Sequence, residues 1–83
     1  MSIRYEWVTA ENAFPTIARK NHMPDGQPVE EEDRDTYNDE MVTADLAVVL
    51  GDGNPLVIEG TADELTTLFT RCLELVTNAR QEK

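Results

Sequence analysis

Eighty-three residues allow one domain with a small core, and 40% apolar residues place the chain in the globular class rather than the disordered one. A net charge of −10 excludes a basic nucleic-acid footprint and disfavours anionic membrane surfaces, so a partner chosen by electrostatics is basic. One cysteine, Cys72, excludes an internal disulfide and fits a reducing compartment.

The charge is unevenly placed. Residues 1–24 carry a net +1, residues 25–45 a net −8 and residues 46–83 a net −3. No stretch approaches the ~18 continuous apolar residues of a membrane span, and the opening "MSIRYEWVTAENAF" has no run suited to a signal peptide. The expectation is a soluble cytoplasmic protein of one domain, residues 1–83.

Along the chain, Ile3, Tyr5 and Trp7 alternate with Arg4 and Glu6, the period of a half-buried strand whose large residues face the core. The next segment, "AENAFPTIARKNH", reads as a short helical turn opened by Pro15 or as a loop. Residues 21–40 hold Pro24, Gly26, Pro28 and a dense acidic run with no apolar periodicity, and Val29 and Tyr37 stand isolated. Like charges at this density repel, so the segment reads as a mobile acidic loop. Long loops of this kind are often functional or disordered.

"MVTADLAVVL" reads as a strand, strongest from Leu46 to Leu50. Its two apolar faces, Leu46, Val48 and Leu50 against Ala47 and Val49, suit a central position. "GDGNP" supplies turn residues, and "LVIE" returns as the next strand, with Pro55 in the turn or at the strand's first residue. Thr61 followed three residues later by Glu64 forms a capping box. Beyond it Leu65, Leu68, Phe69, Cys72, Leu73, Val76 and Ala79 recur at helical spacing, and Leu75 widens the stripe to an arc of roughly 160°. The fold class is therefore α+β: a small three-stranded antiparallel sheet with a C-terminal amphipathic helix packed across one face.

Candidate chemistry is thin. "GDG", Gly51 to Gly53, lacks the third glycine and helix of a dinucleotide fingerprint and the Lys of a P-loop, so it reads as a hairpin turn. "DRDTYNDE" departs from a calcium loop where Tyr37, Asn38 and Ala44 stand, which leaves only loose cation attraction and no metal site. Cys72 lies on the apolar stripe, where a small inert core residue is usual, and His22 opens a loop; no nucleophile–base pair follows. Carboxylates in one solvated run lack the contrast in environment that acid–base catalysis needs. Trp7 and Tyr5 read as core.

The expectation is a non-enzymatic interaction or regulatory module with neither catalytic residue nor cofactor. Glu30, Glu31, Glu32, Asp33, Asp35, Asp39 and Glu40 would dock a protein partner with a basic surface. Self-association as a homodimer would cover what so small a core leaves bare. Direct nucleic-acid binding and membrane binding are not expected. Two alternatives stand beside this reading. One is a phage-type or antidefence inhibitor that imitates nucleic acid to block a DNA-binding protein. The other is a small structural subunit of an assembly.

Overall fold

The computed structural model describes residues 7–51 and 55–81. Three strands, β1 (Thr16–Arg19), β2 (Leu46–Leu50) and β3 (Leu56–Gly60), form an antiparallel sheet in the order β1-β2-β3. One helix, α1 (Ala62–Gln81), follows and packs against β3. The expected α+β architecture is the observed one.

β2 is central, and every one of its residues is apolar, so it offers apolar side chains to both faces along its whole length. Ala47 and Val49 are buried, and Leu46, Val48 and Leu50 are half-buried. The β2–β3 hairpin pairs Leu50 with Leu56, as the turn residues predict, although Asp52 to Asn54 lie outside the described residues. Gly51 closes β2 at φ +93, a left-handed conformation open to glycine at little cost.

The alternating segment from Ile3 lies, apart from Trp7, outside the described residues, and the strand that pairs with β2 comes later in the chain. Trp7 and Val8 are in no strand. Trp7 is 89% exposed, which corrects its assignment to the core. The strand that pairs with β2 is "TIAR", with Thr16 opposite Val49, Ile17 opposite Val48, Ala18 opposite Ala47 and Arg19 opposite Leu46. Residues 10–12, just before it, form a 3-10 turn. Four residues with one isoleucine carry little intrinsic strand signal; the ladder offered by β2 decides their conformation.

Directly paired residues share a face of the sheet. One face therefore carries Ala18, Ala47, Val49 and Val57. The first three, with Val42, make the buried core cluster, and Val57 packs against it half-buried. The opposite face carries Ile17, Val48, Ile58, Leu50 and Leu56. Helix α1 lies on this second face, since Phe69 borders the same hollow as Ile17, Val48 and Leu50.

The connection from β1 to β2 folds back over the first face. Val42, only 1% exposed, is its plug, and Pro24 to Gly26 border the same surface hollow as Thr16 and Val49. The base of the connection is tied by backbone bonds. Asn21 N donates to Val42 O at 2.8 Å, Val42 N to His22 O at 2.8 Å and Val29 N to Asn21 O at 2.9 Å. Asn21 sits at φ +64, where asparagine is among the few tolerated non-glycine residues. Val29, read from sequence as isolated, is buried at 7% exposure. The acidic segment is thus anchored by its own side chain and backbone at its foot.

The helix starts as the capping box predicts. Thr61 N donates to Glu64 Oε1 at 2.8 Å, and Glu64 N donates to Thr61 Oγ1 at 3.1 Å. Gly60 has a role in this junction: a Cβ there would stand 3.2 Å from Glu64 Oε1 and crowd the capping carboxylate. Leu65 is buried and Phe69 half-buried, and beyond them every described residue of α1 is exposed. Only the first two turns of a helix ~30 Å long therefore have an apolar footing. The radius of gyration, 15.3 Å, exceeds the ~12 Å of a compact domain of this length.

Candidate functional site

The seven acids singled out by sequence sit together in one stretch of tight turns. Glu30 is extended, at φ −61 and ψ 147, and leads into a 3-10 turn over Glu31–Asp33. Asp33 N donates to Glu30 O, Thr36 N and Tyr37 N to Asp33 O, and Glu40 N and Met41 N to Tyr37 O. These successive i→i+3 and i→i+4 bonds run through the second half of the loop expected over residues 21–40. The backbone is satisfied locally, so the carboxylates need not serve it and all seven side chains face solvent.

The one base in this stretch turns the other way. Arg34 is half-buried, and its Nε donates a long 3.4 Å hydrogen bond to Val29 O. The guanidinium therefore helps hold the turn onto its foot. Tyr37 borders a hollow of about 260 Å³ that Met23, Val29 and Asp33 also line. The result is a solvent-facing negative surface whose shape is set by backbone turns.

A second surface, which the wide helix stripe and the apolar strand faces announce in the sequence, takes the form of a groove. Pro15, Thr16, Ile17, Val48, Leu50 and Phe69 border a hollow of about 310 Å³ with an almost wholly apolar lining. It lies between α1 and β1, on the half of the sheet face that the helix does not reach. The excess width of the helix stripe was the available signal. Its groove partner was not legible, because Ile17 and Phe69 are brought together only by the sheet.

Cys72 is exposed, which corrects its assignment as an inert core residue. His22 is engaged in the connection: Nδ1 stands 2.9 Å from the Lys20 carbonyl oxygen, a placement that suits a protonated Nδ1, and the residue bridges to Pro28. Cys72 rides on α1, whose packing is against β3, so the two are not assembled into a pair. Among the described residues, no group of three or more His, Cys, Asp or Glu side chains is arranged to hold a metal ion. No helix among them is long and apolar enough to cross a membrane.

One carboxylate outside the acidic segment has a structural duty. Glu59 Oε1 accepts from Thr43 N at 2.7 Å, Ala44 N at 3.1 Å and Thr43 Oγ1 at 3.3 Å. The Thr43 amide, then the Ala44 amide, hold its carboxyl below the usual glutamate value. Glu59 thereby fastens the end of the connection to the central face of the sheet.

Comparison with family models, curated proteins and solved structures finds no match. A functional reading accordingly stands on the two surfaces themselves.

Proposed function

We propose that this protein is a small non-enzymatic interaction module whose acidic turn region, Glu30 to Glu40, docks a protein partner with a basic surface. The observation that carries the reading is the division of labour within that region. Its backbone bonds to itself and Arg34 turns inward, while Glu30, Glu31, Glu32, Asp33, Asp35, Asp39 and Glu40 are all exposed. Turns held by local hydrogen bonds lower the ordering entropy that a free loop would lose on binding. A concentrated field of one sign speeds encounter with its opposite and repels phosphate backbones.

The turn geometry favours this reading over imitation of duplex DNA. Duplex phosphates form a regular lattice, about one charge per 1.7 Å of axis. An extended acidic strand would approach that regularity, whereas successive tight turns scatter the carboxylates around a short compact knob. Regulation of the partner, or a structural place in an assembly, would both use this surface.

Affinity capture followed by cross-linking tests the proposal. The wild type is compared with a variant in which the seven acids become Asn or Gln. A partner retained by the wild type, released as salt rises and lost by the variant is the expected result. Undiminished capture by the variant overturns the proposal. A captured DNA-binding protein from which duplex DNA displaces the wild type would instead establish the imitation reading.

A further inference from the structure

We infer that the bare half of α1 and the open half of the sheet beside it form one self-complementary surface, and that its occupant is a second copy of this chain. The helix supplies a ridge. Leu73, Leu75 and Val76 each leave about two-thirds of their surface in solvent; Leu75 and Val76 continue the line of Leu68 and Cys72, and Leu73 widens it beside Val76. The sheet supplies a groove, the apolar hollow between Phe69 and Ile17 floored by Val48 and Leu50. Ridge and groove meet on α1, because Phe69 walls the groove and the ridge residues follow it along the same helix. A two-fold axis between two copies would set the ridge of each into the groove of the other, the isologous arrangement of most homodimers.

Charge distribution selects this occupant. From Leu68 to Gln81 the helix carries Arg71, Glu74 and Arg80, a net of +1 in a chain of −10. The acidic region belongs to the connection that folds over the opposite face of the sheet. Two copies can therefore close on their helix faces without bringing their acidic knobs together, and the near-neutral contact raises no like-charge barrier. An anionic lipid surface would meet the whole field of −10, with only two arginines in the exposed part of the helix to oppose it.

Size requires the groove as well as the ridge. The exposed part of α1 runs ~20 Å and is ~10 Å wide, well below the ~800 Å² per partner of a standard interface. Two heptads of helix also fall short of the three or four that sustain a coiled coil. Helix-on-helix pairing alone is too small. Reciprocal seating adds the apolar hollow of each copy to the buried surface, and it covers Ile17, Val48 and Leu50 along with the stripe.

Sedimentation of the full chain across a wide concentration range is the test, with Val76→Glu on the ridge and Ile17→Glu in the groove. Both side chains are more than half exposed in a single copy, so the variants keep their fold, which circular dichroism checks. The wild type should sediment at twice 9.4 kDa, and each variant at 9.4 kDa, with association weakened roughly tenfold or more. Cys72 provides a second readout: its reaction with a thiol reagent should slow as wild-type concentration rises and remain fast in Val76→Glu. The variant with seven neutralised acids should still dimerise, which separates this inference from the docking of a basic partner. A wild type that is monomeric throughout, a dimer indifferent to both substitutions, or a monomer that binds phosphatidylcholine vesicles through the helix overturns it.

Discussion

The two faces of the sheet solve the same covering problem with different means. On one, Ala18 and Ala47 keep the surface low, and an irregular connection can approach closely enough for Val42 to seal it at 1% exposure. On the other, the larger Ile17, Val48, Leu50 and Ile58 make a surface suited to a regular layer, yet the helix spans only the β3 side of it. A loop tied by hydrogen bonds closes its face more completely than twenty residues of helix close theirs. The comparison teaches that small side chains and well-placed backbone bonds can replace a secondary-structure layer. It also shows that an element of ample length can still leave its face unfinished when only its first turns land.

The strongest way to break the closed face is at its plug. Val42→Ala removes two methyl groups from the largest fully buried side chain among the described residues and should cost roughly 2 kcal/mol. For a domain of this size each kcal/mol lowers Tm by about 4–8 °C, so a differential scanning measurement resolves it. A fall of under a degree would mean that the connection contributes little to the fold.

Glu59 is the next point of attack on the same face. Glu59→Gln keeps the size but weakens the acceptor for Thr43 and Ala44. With an exposed carboxylate the loss should be about 1 kcal/mol, read from urea unfolding at neutral pH. The pH dependence has a definite sign. Because the folded state lowers the Glu59 pKa, its stabilising contribution is fully present above the usual value of 4.5 and is lost as pH falls through the folded value. The difference between wild type and Glu59→Gln should therefore shrink under acid. A difference constant from neutral to strongly acidic pH would show that the carboxylate's charge is not what ties the connection down.

The smallest effect belongs to the open face. Leu73→Gln, at concentrations low enough to keep one copy alone, should change stability by no more than about 0.5 kcal/mol, because that side chain touches little in its own molecule. A loss like that of Val42→Ala would mean that the helix finds further cover within its own chain, and the contrast between the faces would vanish.

Sequence revealed the parts whose signals are local. Thr61 and Glu64 announce the start of α1 within four residues, and the two apolar faces of Leu46 to Leu50 identify the central strand without its neighbours. It did not reveal β1, because "TIAR" carries little pattern of its own and pairing with β2 decides the conformation of so short an element. The acids of the candidate site were plain to see. Their anchoring was not, since Arg34 and Asn21 act through backbone carbonyls and amides, and such bonds leave no periodicity. The apolar groove was hidden for another reason: its two walls, Ile17 and Phe69, are more than fifty residues apart and only the fold makes them neighbours.

The capping box has a consequence for how the helix holds together. It nucleates α1 firmly at Thr61, whereas the later turns include Thr70, Val76, Thr77 and Asn78, which are poor helix formers, with Arg80 favourably placed in the last turn. Within one molecule the turns beyond Phe69 have little tertiary footing, which makes this tip the least supported part of the helix. Whatever covers that tip gains its contacts partly at the expense of completing the helix. Any recognition on this side of the molecule would then be coupled to local ordering of the helix, whereas the acidic turns are already shaped by their own backbone bonds.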